Sequence, residues 1–158
     1  GPLLRTRANG QFPGHVFVAD TGADLDIEVT ARLDGNDTVP ALEIIKNGIV
    51  ERTVPYEEFA ETGSLGTLRF ERSGWFLVRA IADNDASFRF ASTGPYYVEI
   101  GPERHHISRR STEFFSEWID NRIGQIERTE LEKPEEVLKY HYKARTFWDE
   151  RLANANAD

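Results

Sequence analysis

Hydrophobic and polar side chains alternate strictly between Leu25 and Leu33, where every second residue is apolar and the residues between them are mostly charged. A two-residue repeat with one polar face is typical of an antiparallel strand that covers a core on one side. Shorter apolar stretches, bounded by turn-forming residues, recur throughout the first hundred residues. The predicted strands are 3–7, 15–18, 25–33, 42–46, 49–54, 65–71, 75–82, 88–91 and 96–100.

The residues between these strands have the chemistry of tight turns. Asn47-Gly48 is the strongest of these signals, because both residues tolerate a positive φ angle in a two-residue β-hairpin. Turn-forming residues also fill positions 72–74, 83–85 and 93–95. About eight or nine short strands at regular spacing predict a mainly β fold, an immunoglobulin-like antiparallel β-sandwich.

The spacing of apolar residues becomes helical after residue 101. Residues 113–128 carry isoleucine and aromatic side chains at intervals of three and four. Pro134, followed by two glutamates, is typical of a helix start, and a second apolar stripe runs from there to residue 152. We therefore expect two domains, a β-sandwich over 1–101 and a C-terminal α-helical hairpin over 102–158. The hairpin should pack on the sandwich or on a neighbour.

Composition narrows the function classes. The net charge of −8 divides into −6 for residues 1–101 and −2 for residues 102–158. Neither half offers a basic surface for phosphates, so nucleic acid is not expected as a partner. No apolar run approaches the roughly 20 residues of a membrane span. Cysteine is absent, which excludes disulfides and cysteine nucleophiles but leaves the cellular compartment undetermined.

Recognisable catalytic motifs are missing from the sequence. The four histidines lack the spacing of a metal-binding pair and are interpreted as surface residues. Neither a Gly-x-Ser-x-Gly elbow nor a glycine-rich nucleotide loop is present. Acidic residues cluster at 20–26 and 83–85, where they either bind calcium or form turns, and we favour turns. We expect no enzyme activity, metal or cofactor in this chain itself, with a carboxylate-only site as the alternative.

Aromatic residues allow two interpretations. Trp75, Tyr96 and Tyr97 either form a sugar-stacking platform or join the core. Neighbouring residues of a strand point to opposite faces, so at most one of the two tyrosines can join the core. For Trp75 we favour core packing, as in many β-sandwiches. Arg79 lies in the middle of a predicted strand and marks either the wet face or a buried ion pair.

Six short segments of the sequence occur in a characteristic order. They are Gly1-Pro2-Leu3-Leu4, Asn9-Gly10, Pro13-Gly14, Leu42 to Gly48, Ser73 to Ala80 and Thr93 to Val98. Together they resemble the C-terminal region of PHP-type metallohydrolases of the CehA/McbA kind. The resemblance covers most of residues 1–100, and the helical pair is similar to the tail of those proteins.

The resemblance implies that catalysis belongs to an N-terminal PHP barrel. Such a barrel binds divalent metals through histidines and carboxylates, and it hydrolyses ester, carbamate or phosphoester bonds. No position of this chain matches one of those catalytic residues, so the implied role is a non-catalytic accessory domain beside the barrel. Since the sequence lacks methionine even at its start, we expect it to begin inside a longer chain or after a processed end, and the resemblance implies a position just downstream of the barrel.

The resemblance also suggests where the partner would lie. The N-terminal strand and the Gly94-Pro95 turn are expected to face the missing barrel, or a second copy in a homo-oligomer. The candidate interface residues are Leu3, Leu4, Thr93, Gly94, Pro95 and Tyr96. The alternative function is a stand-alone carbohydrate- or peptide-binding β-sandwich module that uses exposed aromatic side chains.

Overall fold

The computed structural model describes residues 1–102, 105–129 and 132–157. The chain divides into two compact units, Gly1–His105 and His106–Asp158. Within the described residues, the first unit contains the strands and a short helix, and the second contains two long helices. The elements are β1 (Leu3–Ala8), β2 (Val16–Ala19), β3 (Leu25–Asp34), β4 (Ala41–Lys46), β5 (Ile49–Pro55), α1 (Tyr56–Thr62), β6 (Ser64–Phe70), β7 (Gly74–Ile81), β8 (Phe90–Ser92), β9 (Tyr96–Ile100), α2 (Arg109–Arg128) and α3 (Pro134–Ala153).

The strands form two sheets. One sheet has the order β1-β3-β6, and the other has the order β2-β9-β7-β4-β5, with β8 also paired to β7. The strand pairs are antiparallel except that β2 runs parallel to β9, with Val16 opposite Tyr97. The predicted immunoglobulin-like β-sandwich with C-terminal helices is therefore confirmed. The prediction of purely antiparallel strands needs one correction, which is the parallel pairing of β2 with β9. β2 does not pair with β1, because the two strands belong to different sheets.

The core lies between the inward faces of the two sheets. On β3, Ile27 and Val29 are fully buried, whereas Asp26 and Glu28 are exposed, as the alternation predicts. Buried leucine, valine and phenylalanine side chains of β4, β6, β7 and β9 complete one continuous cluster. Burial of this apolar surface is the main stabilising term for such a sandwich.

The predicted core position of Trp75 is wrong. β7 buries Phe76, Val78 and Ala80, and Trp75 lies half-buried on the opposite face. The run from Trp75 to Val78 is apolar on both faces, so these four residues alone do not show which face is buried. The three buried residues share one phase of the two-residue repeat, and it is that phase which faces the core.

The predicted hairpin at Asn47-Gly48 is confirmed. The φ angles of Asn47 and Gly48 are 52° and 87°, the left-handed region that such a turn requires. The Asn47 N–H donates to the carbonyl of Trp75 at 3.0 Å, and its side-chain Oδ1 accepts the Trp75 N–H at 2.9 Å. The turn is thereby attached to the neighbouring strand.

The short helix α1 was not predicted. It begins directly after Pro55, with two glutamates in its first turn, and ends at Gly63, whose φ of 68° is typical of a helix C-terminus. Its Phe59 side chain is buried in the core cluster. A proline before two acids and a glycine shortly after them were thus usable helix signals in the sequence.

A clamp joins the two sheets at Gly66. Arg52, on β5 of one sheet, donates to the carbonyls of Leu65 at 2.9 Å and Thr67 at 3.0 Å, on β6 of the other sheet. The guanidinium crosses over Gly66, where a Cβ would overlap Nη1 of Arg52. Gly66 also has a φ of 84°. The backbone conformation therefore favours glycine there, and a residue with a Cβ would also displace the Arg52 guanidinium.

The second unit is an antiparallel helical hairpin, as predicted. The ring of Phe115 stacks on Trp148 with centroids 4.5 Å apart, near the start of α2 and the end of α3. Towards the other end, the Tyr142 hydroxyl donates to Glu127 at 2.9 Å. The segment between α2 and α3 includes positions 130 and 131, which lie outside the described residues.

Helix α2 begins earlier than predicted, at Arg109. The side chain of Ser108 accepts the backbone N–H of Ser111 at 3.1 Å and so caps the helix. Serine is among the preferred capping residues because its oxygen satisfies a backbone donor of the first turn. None of the described helices is both long and apolar enough to cross a membrane.

Candidate functional site

Three of the candidate interface residues meet at one groove in the first unit. Leu4, Thr93 and Gly94 line this groove, whereas Leu3 and Pro95 do not. We call it the β1 groove, defined by residues 4–7 of β1, 12–13, 30–32 of β3 and 92–94. Its volume of about 590 Å³ lies within the range of small-molecule sites.

Tyr96 is the candidate interface residue whose placement has to be corrected. Its side chain is fully buried, whereas that of Tyr97 is 44% exposed. The two neighbours point to opposite faces of β9, which confirms that only one of them joins the core. The Tyr96 side chain therefore cannot form part of a surface patch.

Arginines give the β1 groove its charge. Arg5 and Arg7 alternate with the inward-facing Thr6 on β1, and the strand register places Arg5 directly opposite Arg32 on β3. Arg5 and Arg32 share one carboxylate, Asp34, at 2.8 Å and 3.2 Å. None of the described residues that line the groove is acidic. The groove is therefore locally positive in a chain of net charge −8.

Arg7 differs from the other two arginines because it has no carboxylate partner among the residues that the structure describes. Its guanidinium carbon lies 3.1 Å from the centre of the Phe12 ring, a cation–π contact. Its Nη1 atom is buried and has no hydrogen-bond partner. Leaving a buried donor of a charged group unpaired costs about 1–3 kcal/mol or more. The charge of Arg7 is thus not neutralised by a carboxylate among the described residues.

The free edge of β1 borders the same groove. β1 is an edge strand, so it has a partner strand, β3, on one side only. The Asn9 N–H donates to the backbone carbonyl of Glu28 on β3 at 2.9 Å. The Ala8 N–H points away from β3 and donates to the backbone carbonyl of Gln11 at 3.0 Å. Because this direction alternates along a strand, the N–H and C=O groups of Leu4 and Thr6 also point away from β3. Thr6 is almost fully buried, so Leu4 offers the more accessible pair.

The floor of the groove is tied to the opposite sheet. The Thr6 hydroxyl lies 2.8 Å from the Tyr96 hydroxyl, and both side chains are buried. The Tyr96 ring stacks on Phe76 with centroids 4.8 Å apart. A hydrogen bond between two sheets in an apolar interior fixes their relative position, because breaking it leaves a buried hydroxyl unpaired.

We expect Tyr96→Phe to lower the free energy of unfolding by about 2 kcal/mol, because it leaves the buried Thr6 hydroxyl without a partner. Adding Thr6→Val to that variant should restore most of the loss, since both polar groups are then gone. Urea denaturation of the two single variants and the double variant measures the coupling. Additive losses would show that the hydroxyls do not interact.

The same tyrosine makes stability depend on alkaline pH. Burial raises the pKa of Tyr96 above its usual value of 10.0, against the opposing effects of the Thr6 hydrogen bond and the Arg7 charge. Above pH 10 the unfolded chain loses the Tyr96 proton first, so the free energy of unfolding falls as pH rises. Below that pH this contribution is constant. Tyr96→Phe should show a shallower alkaline decline than the unmodified chain, and an unchanged slope would contradict this assignment.

Two of the predicted platform aromatics lie side by side on the outward face of the second sheet. Trp75 on β7 is opposite Tyr97 on β9 in the strand register. Arg79 lies on the same face and pairs with Glu43 on β4, with its Nη2 at 2.6 Å and its Nε at 2.8 Å from Oε2. Arg79 therefore lies partly exposed on the solvent-facing side of the sheet, where it forms an ion pair with Glu43.

The acidic clusters behave as turn and surface residues. The side-chain oxygen of Asn84 accepts the N–H groups of Ala86 and Ser87, each at 3.1 Å, which confirms the turn interpretation at 83–85. Asp24 pairs with Arg69. Within residues 1–102, 105–129 and 132–157, no three histidine or acidic side chains are close enough together to hold a metal ion.

Comparison with known proteins adds similarities of fold only. No protein-family model and no curated protein matches the chain. A fibronectin(III)-like module of CbhA from Clostridium thermocellum is 17% identical, with a TM-score of 0.36 over 61% of this chain and 98% of the module. The CARDB domain of the PF1109 protein from Pyrococcus furiosus, solved with di-metal ions, is 17% identical, with a TM-score of 0.30 over 64% of this chain and 94% of the domain.

The arginine cluster was missed at the sequence level. Both halves of the chain have a negative net charge, which hides a local positive cluster. The usable signal was Arg5-x-Arg7 in a predicted strand, because residues two apart share a face. That Arg32 joins them depends on the pairing of β1 with β3, which alternation alone does not specify.

Proposed function

We propose that the chain is a non-catalytic accessory β-sandwich domain that docks onto a neighbouring domain through the β1 groove. The observation that carries this proposal is the convergence of Leu4, Thr93 and Gly94 on one open groove. They come from two segments, far apart in sequence, that the family resemblance places towards a partner. The neighbouring domain that the resemblance favours is the catalytic barrel of a PHP-type metallohydrolase. The divalent metals of such an enzyme would be held by the barrel.

The test compares the 158-residue chain with the longer natural protein expected to contain it. Each is assayed for hydrolysis of generic phosphoester and carbamate substrates in the presence of zinc or manganese. We expect hydrolysis by the longer protein only. Hydrolysis by the shorter chain would overturn the accessory role, and a longer protein without hydrolase activity would overturn the PHP assignment.

A variant of the longer protein tests docking through the groove. Gly94→Arg places a bulky cation in the groove without crowding the fold, since a Cβ at Gly94 would meet only the Pro13 side chain, at 3.8 Å. We expect a lower melting temperature of the barrel and lower activity. The matched control is Ala86→Arg, at an exposed loop position outside the groove, which should change neither.

The alternative function, a carbohydrate-binding module, is favoured by one observation. Trp75 and Tyr97 are neighbours on an outward face, where aromatic rings can stack on sugars. Titration with soluble oligosaccharides, followed by tryptophan fluorescence, tests it. A saturable change that Tyr97→Ala abolishes would support this alternative over docking.

A further inference from the structure

The charge in the β1 groove points to the chemistry of its partner. Three arginines line the groove, one carboxylate neutralises two of them in part, and no described lining residue is acidic. Such a cluster stands out in a chain of net charge −8. A positive groove attracts a negatively charged partner and repels a positive one.

Arg7 marks the place in the groove where a negatively charged group of the partner would bind. Arg5 and Arg32 share Asp34, whereas Arg7 has no carboxylate partner among the described residues. The Phe12 ring holds the guanidinium at 3.1 Å, which limits its movement. A planar guanidinium held in this way suits the two oxygens of a carboxylate, which it can bind through parallel hydrogen bonds.

The strand edge beside these arginines selects the shape of the partner. The N–H and C=O groups of Leu4 point away from β3, towards the side on which β1 has no partner strand. An extended peptide that pairs with such an edge gains backbone hydrogen bonds, and its alternate side chains enter adjacent pockets. Leu4, Phe12 and Pro13 supply apolar contact next to the charged positions.

From these observations we propose that the β1 groove binds an extended acidic peptide segment of the partner, with one carboxylate on Arg7 and its backbone along β1. The inference rests on the proposed accessory function and specifies the surface that the partner presents. Acidic side chains at alternate positions of that segment would face Arg7 and the Arg5–Arg32 pair, because alternate residues of a strand share one face.

The experiment uses the 158-residue chain and a short capped peptide in which glutamate alternates with threonine. The matched probes replace each glutamate by glutamine or by lysine. Binding is measured by titration calorimetry, and the contacted residues are found from amide chemical shifts in nuclear magnetic resonance spectra. We expect the glutamate peptide to bind at least about tenfold more tightly than the glutamine peptide. The shifts should centre on residues 4–7 and 92–94.

Substitution of Arg7 supplies the matched controls. Arg7→Gln should remove the preference for glutamate over glutamine, whereas Arg7→Lys should retain part of it, since lysine keeps the charge but not the planar fork. Arg72→Gln removes the same charge at an exposed turn outside the groove and should leave the preference intact. Melting curves of all variants show whether the fold is preserved.

Three results would overturn the proposal. Equal affinity for the glutamate and glutamine peptides would exclude recognition of a carboxylate. Equal affinity for acetate or inorganic phosphate alone would show a simple anion site rather than peptide docking. Shifts confined to Trp75 and Tyr97 would place the peptide elsewhere. None of these results depends on hydrolysis, so the accessory function and this inference can fail independently.

Discussion

Replacing Phe76 by alanine is expected to lower the free energy of unfolding by about 4 kcal/mol, because it removes a large side chain from the centre of the core. Phe76 is fully buried, and its ring lies between Phe70, at 5.9 Å, and Tyr96, at 4.8 Å between centroids. Its removal leaves a cavity that touches both sheets. The measurement is urea denaturation, in which the midpoint should fall while the slope stays constant.

The matched control is Trp75→Ala, at the neighbouring position of the same strand. Trp75 is the larger side chain, but it lies half-buried on the outward face, so we expect a loss of only about 1 kcal/mol. If side-chain size rather than strand phase determined the contribution, Trp75→Ala would be the more damaging change. Equal or reversed losses would contradict the placement of the core.

Replacing Gly66 by alanine is expected to cost about 3 kcal/mol, from two causes that can be separated. The backbone φ of 84° strains any residue with a Cβ. The added methyl group would also displace the Arg52 guanidinium, which donates to the carbonyls of Leu65 and Thr67 on either side. The loss is measured as a change in the unfolding midpoint.

Gly48→Ala separates the two causes. Gly48 has nearly the same φ, 87°, but nothing lies within 4 Å of a Cβ added there. It should therefore show the backbone strain alone, about 1 kcal/mol. In a chain that already carries Arg52→Ala, the cost of Gly66→Ala should fall to the same value. If it does not, the clamp by Arg52 does not contribute to the requirement for glycine.

The strands were predictable because their signals are local. Alternation over 25–33 and short apolar stretches between turn-forming residues located the nine strands that the structure describes, and Asn47-Gly48 specified its hairpin through backbone chemistry alone. The sequence also predicted which face of β3 is buried, because the polar residues of that strand lie on one face. The buried face was missed around Trp75, because the run from Trp75 to Val78 is apolar on both faces; the usable signal was Arg79, which shares the outward face of β7 with Trp75.

The candidate site was predictable only in part, because it is assembled by pairing between distant segments. The turn at Gly94 and the strand at Leu4 were both singled out, but their meeting at one groove depends on how the two sheets pack. Tyr96 was wrongly assigned to the surface, because neighbouring residues of a strand face opposite sides and it is Tyr97 that is exposed. The joining of Arg5 to Arg32 required the register of β1 on β3, which is a property of tertiary structure.

The parallel pairing of β2 with β9 has a consequence for the order of folding. Val16 finds its partner, Tyr97, only after almost the whole sandwich has been synthesised. Closing so long a loop precedes any gain in hydrogen bonds, and such topologies fold slowly. Until β9 arrives, β2 and one side of β7 are open edges that can pair with another chain. A chain that ends before β9 should therefore aggregate rather than form a smaller sandwich.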